Sequence, residues 1–400
     1  MTLPVGWKKI SLCHLADVRT GLSKSEKRQG ILIKRPYLRV ANVQDGYIDL
    51  SEIKDIDVPV NQLERFTLHE GDIVLTEGGD FDKLGRGYVW EDKISDCVHQ
   101  NHIFAVRIHD RKTLNPWFLS FQMQSQYGRK YFLSCAKQTT NLASINAGQL
   151  KQFPVLFPSF NEQRGIIELI FAWDTAIEKT AQLASTKEKA YSYALSYVFS
   201  HIDHPHAHIK TFAAEVTKRN NNAACQCVLS VTNRNGFVLP EEQFNRRVAS
   251  ADLSNYKIVL KGQYAYNPSR INVGSIARLD DYDMGVLSPM YVVFQLDKTK
   301  VNSDYFKHWL NSHETRERIK RSAQGSVRET VSFSEFSSIY MPLPSVEKQK
   351  SIASYLNVFR QEIALLSDYT EKLKLQKRGL MQKLLTGKWR VKPDEPEVTE

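Results

Sequence analysis

Two stretches of this chain, 186 residues apart, open alike and then run into long apolar seams in a common register. PSFNEQRGI (158–166) and PSVEKQKSI (344–352) share the pairs Pro158/Pro344, Ser159/Ser345, Gln163/Gln349 and Ile166/Ile352. Downstream of the later opening, Ile363, Leu366, Thr370, Leu373, Lys377, Leu380 and Leu384 follow at alternating three- and four-residue steps. At the same offset the earlier copy places Ile177, Thr180, Ala184, Lys187, Tyr191, Ala194 and Val198. Such steps put the residues on one helical face, as a stripe that a partner helix can cover. Both segments are long and lack internal proline. The spacing therefore predicts two long helices, 161–200 and 346–389, that cover each other. Two amphipathic helices, each lying on its own domain, are the alternative.

The stretches before the helices repeat more loosely. Residues 1–160 read as a mixed domain of short strands and turns. Its parts are a helical turn over 15–18, a strand YLRVANV (37–43), a short helix or loop over 58–69, and a strand EGDIVLT (70–76). A strand HIFAVRI (102–108), a helix over 115–136 with Pro116 in its first turn, and a strand FPVLF (153–157) complete it. Residues 201–345 begin with the connector HIDHPHAH (201–208) and then answer these parts: GQYAY (262–266) falls where GDIVL fell, YVVFQL (291–296) answers HIFAVRI, and VNSDYFKHWLNS (301–312) answers LNPWFLSFQMQS (114–125). Asn115 maps to Asn302, Phe118 to Tyr305 and Ser125 to Ser312, each at an offset of 187. The tail 390–400 is acidic and proline-containing and reads as disordered. The layout is domain, helix, domain, helix.

Bulk properties narrow the partners. A net charge of +10 at pH 7 favours an acidic one, with nucleic acid ahead of an anionic membrane. No apolar run approaches the length of a membrane span, and the opening MTLPVGWKKI has no signal-peptide stretch, so a cytoplasmic protein is expected. The 5 cysteines show no repeated CxxC spacing, and Cys225 with Cys227 forms a lone CxC. Free thiols in a reducing compartment fit better than zinc. The four histidines of the connector flank Pro205, which gives no fixed ligand face, so no metal site is expected.

Several motifs together carry a family resemblance that covers nearly the whole chain. They are EGGDFDKLGRG (77–87) with CVHQNH (97–102), YNPSRINVGS (266–275) with LSPMYVVF (287–294), and the two P-S-x-x-x-Q helix openings. In these the chain resembles the specificity subunit of type I restriction–modification systems. The resemblance implies an α+β fold: two similar α/β target-recognition domains separated by two long helices that form an antiparallel intramolecular coiled coil, a pseudo-two-fold internal repeat. It implies that each domain reads one half of a bipartite, asymmetric sequence in double-stranded DNA. The helices would space the domains and dock two methyltransferase (modification) subunits, with restriction subunits added. No catalytic centre and no cofactor is implied for this chain; S-adenosylmethionine, ATP and Mg would sit on the partner subunits. A helical segment of about 36 residues spans ~54 Å, which suits domains roughly one DNA turn apart, ~34–36 Å.

Candidate contacts follow from this resemblance and from side-chain chemistry. Lys83 and Arg86 lie in a glycine-rich loop in which Gly85 and Gly87 allow close backbone approach, and the cations can reach phosphate or guanine O6/N7. The alternative is a tight hairpin with its charges in water. Glu77, Asp80 and Asp82 suit a carboxylate accepting from cytosine N4, or orienting Lys83, better than a metal. His99, Gln100, Asn101 and His102 either point into the same groove or pack at a sheet edge. In the second domain Asn267, Arg270 and Asn272 take the equivalent loop, with Asn matching adenine and Arg matching guanine. The polar loops Lys137, Gln138, Thr139, Thr140, Asn141 and Gln324, Ser326, Arg328 suit phosphate or base-edge contact, or are exposed turns. Trp117, Phe118, Phe121, Tyr305, Phe306 and Trp309 have helical spacing and read as core.

Two rival readings are weaker. YNPSR departs from the [DN]-P-P-[YF] loop of amino-methyltransferases at Ser269 and Arg270, and neither G-x-G-x-x-G nor a P-loop occurs, which argues against an enzyme. A coiled-coil scaffold binding nucleic acid without sequence preference would have no need of two unlike polar loops.

Overall fold

The computed structural model describes residues 3–24, 28–79, 84–138, 143–200, 205–221, 224–233, 235–239, 252–324 and 330–391; the side chains of 138 and 322–324 lie outside the description. The chain divides into two compact units, Met1–Thr180 with Tyr369–Glu400, and Ala181–Asp368. Each unit takes half of each long helix, Phe160–Ser200 and Val346–Leu384.

In unit 1 the centre is a four-stranded antiparallel sheet in the order Ala16–Thr20, Ile103–Ile108, Ile73–Thr76, Gly87–Val89. Ile73–Thr76 is buried at every position, as expected of a strand covered on both faces. Lys8–Ser11 pairs with Pro154–Phe157, and the strand Leu32–Leu38 lies between Lys54–Pro59 and Val98–His99. Helices Pro116–Gln124 and Gln126–Cys135 pack Phe118, Leu119, Phe121 and Phe132 into the main core with Ile166, Ile170 and Leu384 of the long helices and Leu385 just beyond.

Unit 2 repeats this plan. Its four-stranded sheet runs Ala213–Glu215, Val292–Leu296, Tyr264–Tyr266, Ile276–Arg278, and His206–His208 pairs with Tyr340–Pro342. Helices Ser303–Asn311 and His313–Gln324 follow the sheet, with Tyr305, Phe306 and Trp309 buried beside Tyr191, Leu195 and Phe199.

The shared sequence signatures turn out to be shared devices. Gln163 is fully buried; its Oε1 accepts the Asn115 N–H at 2.9 Å while its Nε2 donates to the Thr113 and Pro158 carbonyls. Gln349 does the same with Asn302 N–H, Lys300 and Pro344. Asn115 and Asn302 cap their helices, as do Ser125 and, towards Thr315 N–H, Ser312.

The predicted seam is also observed. Between 175 and 190 only Ile177, Thr180, Ala184 and Lys187 escape full exposure, and between 364 and 379 only Leu366, Thr370, Leu373 and Lys377. The half-helices run antiparallel within each unit. In unit 1 Glu162 meets Arg390 at 2.6 Å and Asp174 meets Lys377 at 2.5 Å. In unit 2 Lys187 meets Glu362 at 2.7 Å and Glu188 meets Arg360 at 3.2 Å.

Local boundaries differ from the sequence reading in several places, the last long helix, for one, ending at Leu384 and not at 389. The helix expected over 115–136 breaks at Ser125, whose backbone is extended and whose hydroxyl accepts the Gly128 N–H. The turn expected over 15–18 falls earlier, at Leu12–His14, and Ala16–Thr20 is a strand because it pairs with Ile103–Ile108. The strand expected over 37–43 is Leu32–Leu38, followed by a 3-10 turn at Val40–Asn42. His206–His208, expected in a connector, is a strand. Residues 201–204 lie outside the described residues, as does the tail from 392.

Candidate nucleic-acid interface

In unit 1 the polar segments singled out from the sequence converge at the end of strand Ile73–Thr76. The Glu77 N–H donates to the His102 carbonyl at 3.0 Å, and the Glu77 carbonyl accepts the Ile145 N–H at 2.9 Å. Gly78–Gly79 then pairs with Ala143–Ser144, which pairs with Lys137–Gln138. Segments 77–79, 100–102, 137–138 and 143–145 thus share one edge, each held by backbone hydrogen bonds. That is the rigidity a reading surface needs.

On this edge the exposed His102 ring pairs with Glu77, Nδ1 to Oε2, at 2.6 Å. Asn101 Nδ2 lies 3.3 Å from His102 Nε2. Gln100 Oε1 accepts the Val40 N–H at 3.1 Å, which anchors its side chain. Arg86 is half-buried, with a guanidinium nitrogen 3.5 Å from the Val40 carbonyl, and Lys137 is exposed. The glycines expected to admit DNA serve the packing instead. A Cβ on Gly87 would lie 2.0 Å from the Val74 carbonyl oxygen, and one on Gly85 2.7 Å from the Phe132 ring.

His99 sits below the surface. It is 1% exposed, and its register opposite Leu38 turns the ring inward, where Nδ1 lies 3.0 Å from the Phe66 carbonyl. Burial pushes its pKa down to about 4, so the ring is neutral near pH 7. Its Nε2 is buried with no partner among the described residues. Lys83, Thr139, Thr140, Asn141, Ser326 and Arg328 lie outside the described residues, as do Asp80 and Asp82. Gln138 ends a described strand and Gln324 a described helix, and their side chains lie outside the description. Among the described residues no group of three or more His, Cys, Asp or Glu could hold a metal ion, and no helix is long and apolar enough to cross a membrane.

In unit 2 the equivalent loop, 267–275, carries a 3-10 turn Ile271–Val273 closed by Gly274 in the left-handed region, φ 93°. Asn267 Oδ1 accepts the Ser269 N–H at 3.0 Å, and the Pro268 carbonyl accepts the Val331 N–H at 3.1 Å, which draws Val331 alongside. Arg270 is exposed, while the Asn272 Oδ1 is buried with no partner among the described residues.

The structure adds neighbours that sequence reasoning missed. The hairpin Ser230–Thr232 with Gly236–Val238 packs behind the loop, Ser275 Oγ donating to the Val231 carbonyl at 2.6 Å. Together with helix His313–Gln324 it lines a cleft of about 580 Å3 that includes Asn233, Asn235, Asn272, Arg316 and Lys320. The dipeptide Asn235-Gly236 was the available signal, since Asn-Gly between apolar residues marks a tight hairpin.

Comparison with known proteins places these features. Residues 4–186 and 248–375 match the model of the type I restriction modification DNA specificity domain. Over 416 residues the chain is 23% identical to a protein assigned as the MjaX type I restriction enzyme specificity subunit of Methanocaldococcus jannaschii, covering 98% of this chain and 95% of that one. It is 27% identical to the EcoKI specificity subunit of Escherichia coli over 172 residues, 41% of this chain and 36% of its relative. Among solved structures, the HsdS subunit of Thermoanaerobacter tengcongensis aligns with a TM-score of 0.52 over 97% of this chain and 99% of its own, at 14% identity. A chain from a type I restriction–modification structure concerned with complex assembly and conformational transition aligns at 0.63 over 97% and 100%, at 15% identity. At such identities the structural likeness speaks for the fold.

Proposed function

Because this chain belongs to the type I restriction–modification DNA specificity family, we propose that each of its units reads one half of a bipartite, asymmetric sequence in double-stranded DNA. As a specificity subunit it is not itself an enzyme. The observation that carries the proposal is a repeated scaffold with unlike reading edges. Gln163 and Gln349, Asn115 and Asn302, and Ser125 and Ser312 do the same work in both units, yet the edge of unit 1 carries Glu77, Gln100 and His102 where unit 2 has a loop with Asn267, Arg270 and Asn272. A shared frame with different hydrogen-bonding groups suits two different half-sites.

The long helices would dock two methyltransferase subunits, with restriction subunits joining the complex. Exposed apolar residues on the helical halves of unit 2 support this: Leu183, Tyr193 and Tyr197 on one, Tyr355, Val358 and Leu365 on the other. S-adenosylmethionine would bind the methyltransferase, and ATP and Mg the restriction subunits, in the cytoplasm.

The test is genome-wide adenine methylation in cells expressing the partner methyltransferase with and without this chain. One bipartite motif, present only with the chain, is the expected result. A soluble, assembled complex that methylates with no motif would overturn the proposal in favour of a non-specific scaffold.

A further inference from the structure

We propose that Glu77, oriented by His102, is a specificity-determining residue of unit 1 that accepts an exocyclic amino N–H, cytosine N4 or adenine N6, from a base of its half-site. This rests on the half-site reading above and assigns chemistry to one position within it. Three observations support it.

The first is preorganisation. Glu77 is fixed on both sides of its backbone, to His102 and to Ile145, at the point where three polar segments meet. The second is the hydrogen-bond order around the carboxylate. With Asn101 donating to His102 Nε2 at 3.3 Å, the ring is left with its proton on Nδ1, which it donates to Glu77 Oε2 at 2.6 Å. Among the described residues the second carboxylate oxygen meets no donor, and the pair is partly open to solvent, with side-chain exposures of 34% for Glu77 and 59% for His102. A carboxylate facing a DNA backbone would be repelled by phosphate, so on such an edge its productive partner is a base N–H.

The third observation is the internal repeat. Ile73 and Tyr264 occupy equivalent sheet positions, opposite Val106 and Phe294 respectively. Counting from those pairs, Glu77 answers to Pro268 and His102 to Met290. The clasp Gln163/Gln349 and the caps Asn115/Asn302 are kept in both units, whereas this hydrogen-bonded pair is replaced by two residues without side-chain N–H or carboxylate groups. Groups that distinguish two unlike half-sites must differ in this way.

Methylation mapping with the full chain and its methyltransferase partner tests the proposal through Glu77→Gln, Glu77→Ala and His102→Ala. Glu77→Ala should relax base preference at one position of one half-site by about 5- to 150-fold, the range of one good base contact. Glu77→Gln should weaken or change preference at that same position, His102→Ala should weaken it there, and the other half-site and the spacer should stay as they are. Unchanged preference at every position, whether methylation is normal or uniformly reduced, would overturn the proposal, since a structural pair would affect all sites alike. Glu77→Gln is nearly isosteric, so it keeps the test open should the alanine variant fail to fold. Absence of any motif with the unaltered chain would instead refute the half-site reading.

Discussion

Asp72 is the most demanding single residue of unit 1, a carboxylate with no exposed surface. Arg107 meets it through two hydrogen bonds, Nε to Oδ1 at 2.8 Å and a terminal nitrogen to Oδ2 at 2.7 Å, and also donates to the Thr67 carbonyl. The His69 N–H completes the set at 2.9 Å. Removing one partner of such a pair strands the other charge, so Arg107→Ala should lower the unfolding free energy by about 3–5 kcal/mol in urea titrations. A loss well below that would show that water replaces the guanidinium. His99 gives a pH signature of the opposite kind. An unfolded histidine titrates near pH 6.5, whereas this one is held at about 4. Between those values the unfolded chain binds a proton that the folded chain refuses. Stability should therefore be flat in this respect above pH 6.5 and fall by up to about 3 kcal/mol as pH drops towards 4. Thermal melts from pH 7 to 4 should show a shallower slope for His99→Gln; the slope that remains would include His308, whose pKa burial also lowers. An unaltered slope would assign the effect elsewhere. The sequence left His99 between a groove-facing residue and one packed at a sheet edge, and it did not show the burial that lowers the pKa. The register that buries it comes from a short parallel pairing between distant segments.

At the scale of elements, the two units solve one junction in chemically opposite ways. Where the recognition fold of unit 1 meets its helices, Trp117, Phe121 and Phe171 form an aromatic cluster with Tyr88, ring centroids 4.9–5.4 Å apart along the contacts Tyr88–Trp117, Trp117–Phe171 and Phe121–Phe171. The equivalent residues of unit 2, at offsets of 187, 187 and 186, are Asp304, His308 and Asn357. There His308 Nδ1 lies 2.9 Å from the Tyr191 hydroxyl and Nε2 2.8 Å from Asn357 Oδ1; Asn357 Nδ2 donates to Asp304, which also takes Arg278 at 2.7 Å. A polar network of this kind is coupled, since breaking one link strands the others. His308→Phe and Asn357→Phe should each cost about 2 kcal/mol, and the double variant should cost less than their sum by about 1–2 kcal/mol. Additive losses in denaturant titrations would dissolve the network into independent contacts. The long helices themselves were legible because apolar spacing depends only on which side chains face the partner. The break at Ser125 was not, because Ser, Gln and Tyr continue a helical pattern and only the cap to Gly128 reveals the stop.

For the whole molecule, the internal repeat was the most informative feature of the sequence, and it makes the sharpest prediction. Matching offsets identified the frame correctly, down to the glutamine that clasps each helix opening. They could not reveal which polar residues face outward, since that depends on loop geometry set by pairing partners such as Val331 with Pro268 or Glu77 with His102. Arg86 and Arg270 follow equivalent strands in different units, one half-buried and one exposed. If the units read separate half-sites, Arg86→Ala should degrade recognition in one half of the methylated motif and Arg270→Ala in the other. A guanine contact would cost about 1–3 kcal/mol of discrimination at one position, while a phosphate contact would weaken all sites and reduce the salt dependence by about one ion. Binding measured on DNA carrying either half-site alone, at several salt concentrations, separates these outcomes. If both variants lose affinity equally on every sequence, the two loops hold backbone only, and specificity must reside in neighbours such as Glu77 and Asn272. If one variant degrades both halves together, the units do not read independently, and the repeat would then be a device of folding without a matching division of labour.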